Sequence, residues 1–228
     1  MIAIKSSALR RLLRILIPFL LIPAAVVAGA LLPTGRQYLF FSLLIAALTV
    51  LLFIAGFERR KVGTRRLVIV SVMIALSVVG RFIPFFKPVT AITVIAAVAL
   101  GAESGFMVGA FSALLSNFYF GQGPWTPFQM LAWGMIGFLA GMLSRPLGKN
   151  RALLVLYGAL SGIVFSAVMD LWTVLWYQGS LEVDLYLAAL LAALPHTALY
   201  AVSNVVFLLL LARPFLEKLG RIRIKYGI

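Results

Sequence analysis

The sequence predicts an all-α polytopic membrane protein. Its 228 residues are 63% hydrophobic and only 11% charged, with a mean hydropathy of +1.10. A soluble chain of this length could not bury that much apolar surface. Runs of about 20 apolar residues recur throughout, each long enough to cross a hydrocarbon core of roughly 30 Å as a helix. A transmembrane barrel would show short alternating segments instead. No stretch reads as a soluble domain, and the chain has no cysteine, which excludes disulfides and thiolate metal sites.

Eight membrane segments follow in order, at 12–33, 38–57, 66–83, 88–102, 105–120, 128–144, 152–177 and 185–212. The first follows a basic start; its apolar run is longer than a signal-peptide core, so it reads as a retained helix. The second has almost no polar side chain beyond Ser42 and Thr49. The fourth and fifth are short, and Gly101-Ala102-Glu103-Ser104-Gly105 reads as a tight turn between them. The sixth follows Gly121-Gln122-Gly123-Pro124-Trp125-Thr126-Pro127, an uncharged, Gly/Pro-broken, aromatic loop. The seventh is long. The eighth contains Pro195, which should kink it or mark its true start; counting back from Arg213 puts its outer end near Ala193.

Charge sets the orientation. With a cytoplasmic N-terminus, 17 of the 20 lysines and arginines fall on the inner side, and only Arg36, Arg81 and Lys87 on the outer side. That is a strong positive-inside pattern, with both termini cytoplasmic and the loops at 121–127 and 178–184 outside. The net charge of +14 is therefore topology, with attraction to anionic lipid as a by-product, and needs no nucleic-acid partner.

Domain organisation follows from the basic stretch Glu58–Arg66. Residues 1–57 read as a two-helix extension, 58–66 as a cytoplasmic basic linker, 67–215 as a six-helix functional core, and 216–228 as a basic cytoplasmic tail. The core shows no internal repeat, which argues against an inverted-repeat secondary transporter.

Small residues recur at packing intervals: Gly101, Gly105, Gly109 and Ala113; Gly134, Gly137 and Gly141; Gly158 and Gly162. Such spacing lets helices approach closely in lipid, and intramolecular packing is its ordinary meaning. Ser71 and Ala75 on the third segment read the same way when taken alone.

Intramembrane polar groups are costly and face a cavity or a partner. Asp170, followed by Trp172, Thr173 and Trp176, reads either as a ligand contact or as a structural ion pair with Arg81 or Lys87. His196, Tyr200, Ser203 and Asn204 share one face of the eighth segment; Gln129 and Trp133 share one face of the sixth; Ala113, Ser116, Asn117 and Phe120 align on the fifth. Each face alone reads as core hydrogen bonding. Together with Gln122 and Trp125 of the loop, they suggest an outer pocket lined by amides and aromatics.

Catalytic readings are poor. Ser161 with His196 lacks the glycine spacing of an intramembrane serine protease and lies toward the other side of the membrane. One intramembrane Asp and one His do not form a metal cluster. No nucleotide fingerprint is present, so any energy from ATP must come from another subunit. No catalytic residue, metal or cofactor is expected.

From about 66 to 215 the chain resembles the substrate-binding S component of an energy-coupling factor (ECF) vitamin transporter. The resemblance rests on Leu67-Val-Ile-Val-Ser-Val-Met-Ile-Ala-Leu-Ser-Val-Val-Gly-Arg81-Phe-Ile-Pro84, on Gly105-Phe-Met-Val-Gly109-Ala-Phe-Ser-Ala-Leu-Leu-Ser-Asn117, on Gly121–Met130, and on Gly134-Met-Ile-Gly137-Phe-Leu-Ala-Gly141. The N-terminal helix pair departs from the usual six helices. The resemblance implies a multi-pass protein of a prokaryotic plasma membrane that binds a vitamin on its outer side, in a pocket closed by loops 83–88, 121–127 and 178–184. It implies a transmembrane coupling subunit docking on the small-residue face of the first core helix, here Ser71 and Ala75, two ATPase subunits, and toppling of the binding subunit to deliver its ligand. Arg81, Asn117, Gln122, Trp125, Gln129, Trp133, Asp170, His196 and Tyr200 are the expected substrate-binding residues. The loop most resembles the cobalamin-type branch, making cobalamin the first expected substrate, with riboflavin, queuosine-like bases, pyridoxine and pantothenate as alternatives. A stand-alone ion-coupled transporter using Asp170, or a non-binding structural membrane partner, are the competing classes.

Overall fold

The computed structural model describes residues 6–31, 37–56 and 60–227, and of 60–63 only the backbone. The described residues form ten helices: α1 (Ser7–Leu31), α2 (Gln37–Ala55), α3 (Arg60–Gly80), α4 (Val89–Leu100), α5 (Ala102–Phe120), α6 (Trp125–Met142), α7 (Ser144–Lys149), α8 (Arg151–Gln178), α9 (Val183–Ala192) and α10 (Leu194–Tyr226). The chain is thus an all-α polytopic membrane protein. The expected linker at 58–66 falls partly outside the described residues, as does Arg36; where described, from Arg60 onward, it is the first turns of α3.

Four helices are long and apolar enough to cross a bilayer on their own: α1, α2, α8 and α10. The others differ from the expected spans for a physical reason. The expected span at 88–102 is the 12-residue α4, which at 1.5 Å per residue covers little more than half of a hydrocarbon core. All its residues except Val98 are buried, so α4 is a central post that meets protein on every side. Helices α3, α5 and α6 surround it and carry polar side chains inward.

Helices α5 and α6 are the most extensively packed pair, and glycine is the cause. A Cβ on Gly105 would lie 2.5 Å from the Gly137 carbonyl oxygen, and one on Gly134 would lie 2.8 Å from the Phe106 ring. Gly109 backs onto the Trp133 carbonyl in the same way. On the other side of the bundle, Gly158 receives Leu208, and Gly162 approaches the Ala201 backbone, joining α8 to α10. The small-residue sets therefore serve intramolecular packing, as their spacing suggests. Gly101 has φ 92°, and this one left-handed residue makes the turn from α4 to α5 that the sequence assigned to five residues.

The eighth expected segment is two helices. α9 ends at Ala192, and α10 starts at Leu194 with Pro195 in its first turn, where the missing N–H is not needed. α10 then continues unbroken to Tyr226, so the expected basic tail is its last turns.

The N-terminal pair is packed against α5 and α6 as part of the same core. Ile17, Ile22, Ile45, Leu52 and Phe53 are buried, and Phe19 meets the edge of Phe138 at 5.6 Å. A π-helical turn, Ile17–Leu21, absorbs Pro18 within α1. Arg14 of α1 pairs with the buried Glu103 at the start of α5, a charge contact without hydrogen-bond geometry at Glu103 Oε1.

Candidate functional site

The aromatic loop is shorter than its sequence suggests. Only 121–124 is non-helical; Trp125–Met130 already belongs to α6, with Pro124 at its N-cap and Pro127 in its first turn. This places Gln129 and Trp133 on a helix face that looks at the C-terminal end of α5, where Ser116 and Asn117 project.

Asn117 is the hub. It is completely buried, and its Nδ2 donates to Thr126 Oγ1 and to Gln129 Oε1, each at 2.9 Å. Its Oδ1 accepts from Arg81 Nη1 at 2.6 Å, and the same guanidinium donates to Ser116 Oγ. Thr126 Oγ1 donates to Gln122 Oε1 at 3.0 Å, while Gln122 Nε2 donates to the Leu114 carbonyl at 2.8 Å. A buried polar network of this kind is stable only when its members satisfy one another, and here loop, α5 and α6 do so.

An aromatic wall adjoins it. The Arg81 guanidinium lies 4.9 Å from the Phe120 ring and 5.4 Å from Trp133, within cation–π range. Trp133 stacks on Phe165 at 4.6 Å and 14°; Phe165 meets Tyr200 at 5.2 Å; Tyr200 meets the edge of His196 at 4.7 Å. Trp133 is buried, yet its indole N–H donates to no acceptor among the described residues.

The segment from Arg81 to Pro88 closes one side. Phe85 holds φ 61°, a left-handed conformation that a bulky side chain rarely adopts. Lys87 points its ammonium toward Phe120 at 5.9 Å, and its carbonyl accepts from Ser203 Oγ at 3.3 Å. Burial, with the neighbouring Arg81 charge, holds the Lys87 pKa below its ordinary value. Among the described residues no carboxylate pairs with Arg81 or Lys87.

The structure thus brings Arg81, Asn117, Gln122, Gln129 and Trp133 into one cluster and joins Tyr200 and His196 to it through Phe165. Trp125 stands apart, edge-on to Trp172 at 5.7 Å. The expected pairing of Asp170 with Arg81 or Lys87 is not formed. Asp170 lies on α8 beside Ser166 and His196, one of its carboxylate oxygens buried without a hydrogen bond, while Arg81 is drawn to the α5 amide and hydroxyl instead. His196 itself is exposed, and Asn204 donates to the Gly158 carbonyl at 3.0 Å, a helix-packing role. Sequence reasoning missed Thr126 and Phe165 as site members. Thr126 could have been found by its place between the two glutamines; Phe165, in a uniformly apolar run, carries no such signal.

A cluster of amides, one planar cation and stacked rings suits the binding of a flat polar molecule. A family model for the ECF-type riboflavin transporter, S component, matches residues 61–220. No curated protein and no solved structure matches the chain.

Proposed function

The chain belongs to the family of ECF-type riboflavin transporter S components, and we propose that it binds a flat heterocyclic vitamin of the riboflavin class for import by an ATP-driven complex. The observation that carries this is the cluster of Arg81, Asn117, Gln129 and Trp133. Its guanidinium lies 5.4 Å from the Trp133 ring and bonds Asn117, which bonds Gln129, and the Trp133 indole N–H has no acceptor among the described residues. A fused ring with carbonyl and imide edges matches that inventory: its face takes the place of the guanidinium on Trp133, and its edge exchanges hydrogen bonds with Asn117 and Gln129. The matched family is named for riboflavin, and this supports a riboflavin-class ring over the cobalamin expected from the loop.

Arg81 and Lys87, which pair with no carboxylate among the described residues, suit a phosphate or an electron-rich ring edge on the ligand. In this reading both termini are cytoplasmic, the cluster opens to the outside of a prokaryotic plasma membrane, and Arg81 must leave Asn117 before the ligand can use it. The coupling subunit docks on the outward face of α3. There Ser71 and Ala75 are exposed, in line with Val68, Val72 and Val79. ATP hydrolysis resides in two partner subunits.

The test is purification of the full chain followed by flavin and corrin absorbance of the released small molecules, then titration with riboflavin and cobalamin. Saturable one-to-one flavin binding supports the proposal. Saturable corrin binding returns the substrate to cobalamin, and no binding of either removes the assignment.

A further inference from the structure

A second site lies at the opposite end of the bundle, where α7, the start of α8 and the charged part of α10 meet. A cleft of about 280 Å³ opens there, with Leu147, Leu154, Leu208 and Ala212 on its buried floor. Its rim carries three cations, Lys149, Arg151 and Arg213, against one carboxylate, Glu217. Glu217 is already engaged by Arg213 Nε at 3.0 Å on an exposed surface. Arg151 reaches across the cleft and donates through Nη2 to the Leu209 carbonyl at 3.0 Å, which fixes its guanidinium at the mouth with further N–H groups unused.

The position of this cleft decides what fits it. Between His196 and Arg213, α10 has no charged residue. The cleft therefore straddles the point where an apolar helix leaves the hydrocarbon, with its floor on the lipid side and its cations at headgroup level. A soluble anion would match the cations but leave the apolar floor wet. A zwitterionic lipid would match the floor but leave the cation excess uncompensated.

We propose that this cleft holds one anionic phospholipid, its phosphate on Lys149, Arg151 and Arg213 and part of one acyl chain on the Leu147–Leu154–Leu208 floor. The site is independent of the vitamin cluster and of its assignment.

Native mass spectrometry of the full chain, released from micelles doped with equal amounts of phosphatidylglycerol and phosphatidylcholine, tests this. The wild type should retain one phosphatidylglycerol in at least about fivefold preference. Replacing Lys149→Gln and Arg213→Gln should erase that preference, by about fivefold per cation. Ala212→Phe, which fills the cleft and keeps every charge, should abolish retention of either lipid. Equal retention of the two lipids by the wild type overturns the proposal. So does a preference that survives the double charge substitution, or displacement by millimolar inorganic phosphate with Ala212→Phe still binding, which identifies a free-phosphate site. The wild-type ratio decides the matter even where a variant fails to fold.

Discussion

Trp133→Phe separates ligand recognition from structural support. Trp133 is buried, stacks on Phe165 at 4.6 Å, and has an indole N–H with no acceptor among the described residues. Phenylalanine keeps a ring in the stack and removes that donor. Loss of ring volume costs the protein about 1 kcal/mol, while removing a buried unsatisfied donor returns about 1–3 kcal/mol. The protein without ligand should therefore unfold at nearly the same temperature or slightly higher. If a ligand acceptor takes the N–H, its loss costs about 1–2 kcal/mol of binding, which weakens affinity about five- to thirtyfold. Trp133→Ala is the contrast: it deletes the stack and should lower stability by about 3–5 kcal/mol. Riboflavin titration by quenching of flavin fluorescence, paired with thermal unfolding in detergent, reads both quantities. Unchanged affinity in a folded Trp133→Phe protein, or an unfolding shift as large as that of Trp133→Ala, would refute the reasoning, because the indole N–H would then be structural.

Other substitutions probe the frame around the site. Gly105→Val should force α5 from α6, because its Cβ alone would sit 2.5 Å from the Gly137 carbonyl oxygen; a loss of about 1–3 kcal/mol or more is expected in thermal unfolding. Gly148→Ala, whose Cβ would meet Val98 at an ordinary 3.5 Å, should be close to neutral in the same assay. Arg14→Gln leaves Glu103 buried without its α1 partner, with Arg66 still nearby, and should destabilise by about 1–3 kcal/mol in thermal unfolding; an unchanged unfolding temperature would show that the pair carries no stability. Ser71→Leu and Ala75→Leu should reduce vitamin uptake in cells that express the coupling module while leaving flavin binding by the purified chain intact. Normal uptake by both would move the docking surface elsewhere.

The membrane class and the helix-packing glycines were legible because they rest on local composition and on one spacing rule. So were the polar positions of the site, since an amide or arginine in an apolar chain is conspicuous. What the sequence did not reveal depends on three-dimensional neighbours. By charge Arg81 had one acidic candidate, Asp170, yet it bonds Asn117 and Ser116 because α3 packs on α5 and not on α8. Phe165 reads as one more lipid-facing side chain until the turn of α8 sets it under Trp133. The helix pair at 1–57 reads as separate because its segments lack polar groups, but apolar faces of that kind are what pack into a core, and Arg14 then finds Glu103 across 89 residues of chain.

The two halves of the site differ in how they are held, and this difference bears on transport. Asn117, Gln129 and Trp133 stand on α5 and α6, whose backbones touch through Gly105, Gly109, Gly134 and Gly137. Bare backbones in contact leave little room to slide, so these three groups keep a fixed spacing, as selectivity for a rigid ring requires. Arg81 and Lys87 stand on the 81–88 segment, which is anchored at its far end by the Ser203 contact to the Lys87 carbonyl and carries the strained Phe85. The guanidinium bonds to Asn117 Oδ1 with the geometry that a ligand amide would need. On the proposed function, a ligand and Arg81 would compete for one acceptor, and the hydrogen bond given up is about 1.5–3 kcal/mol for a charged donor. With Arg81 bonded to its Oδ1, Asn117 is satisfied in the structure described, and the buried network has no unpaired amide at its centre.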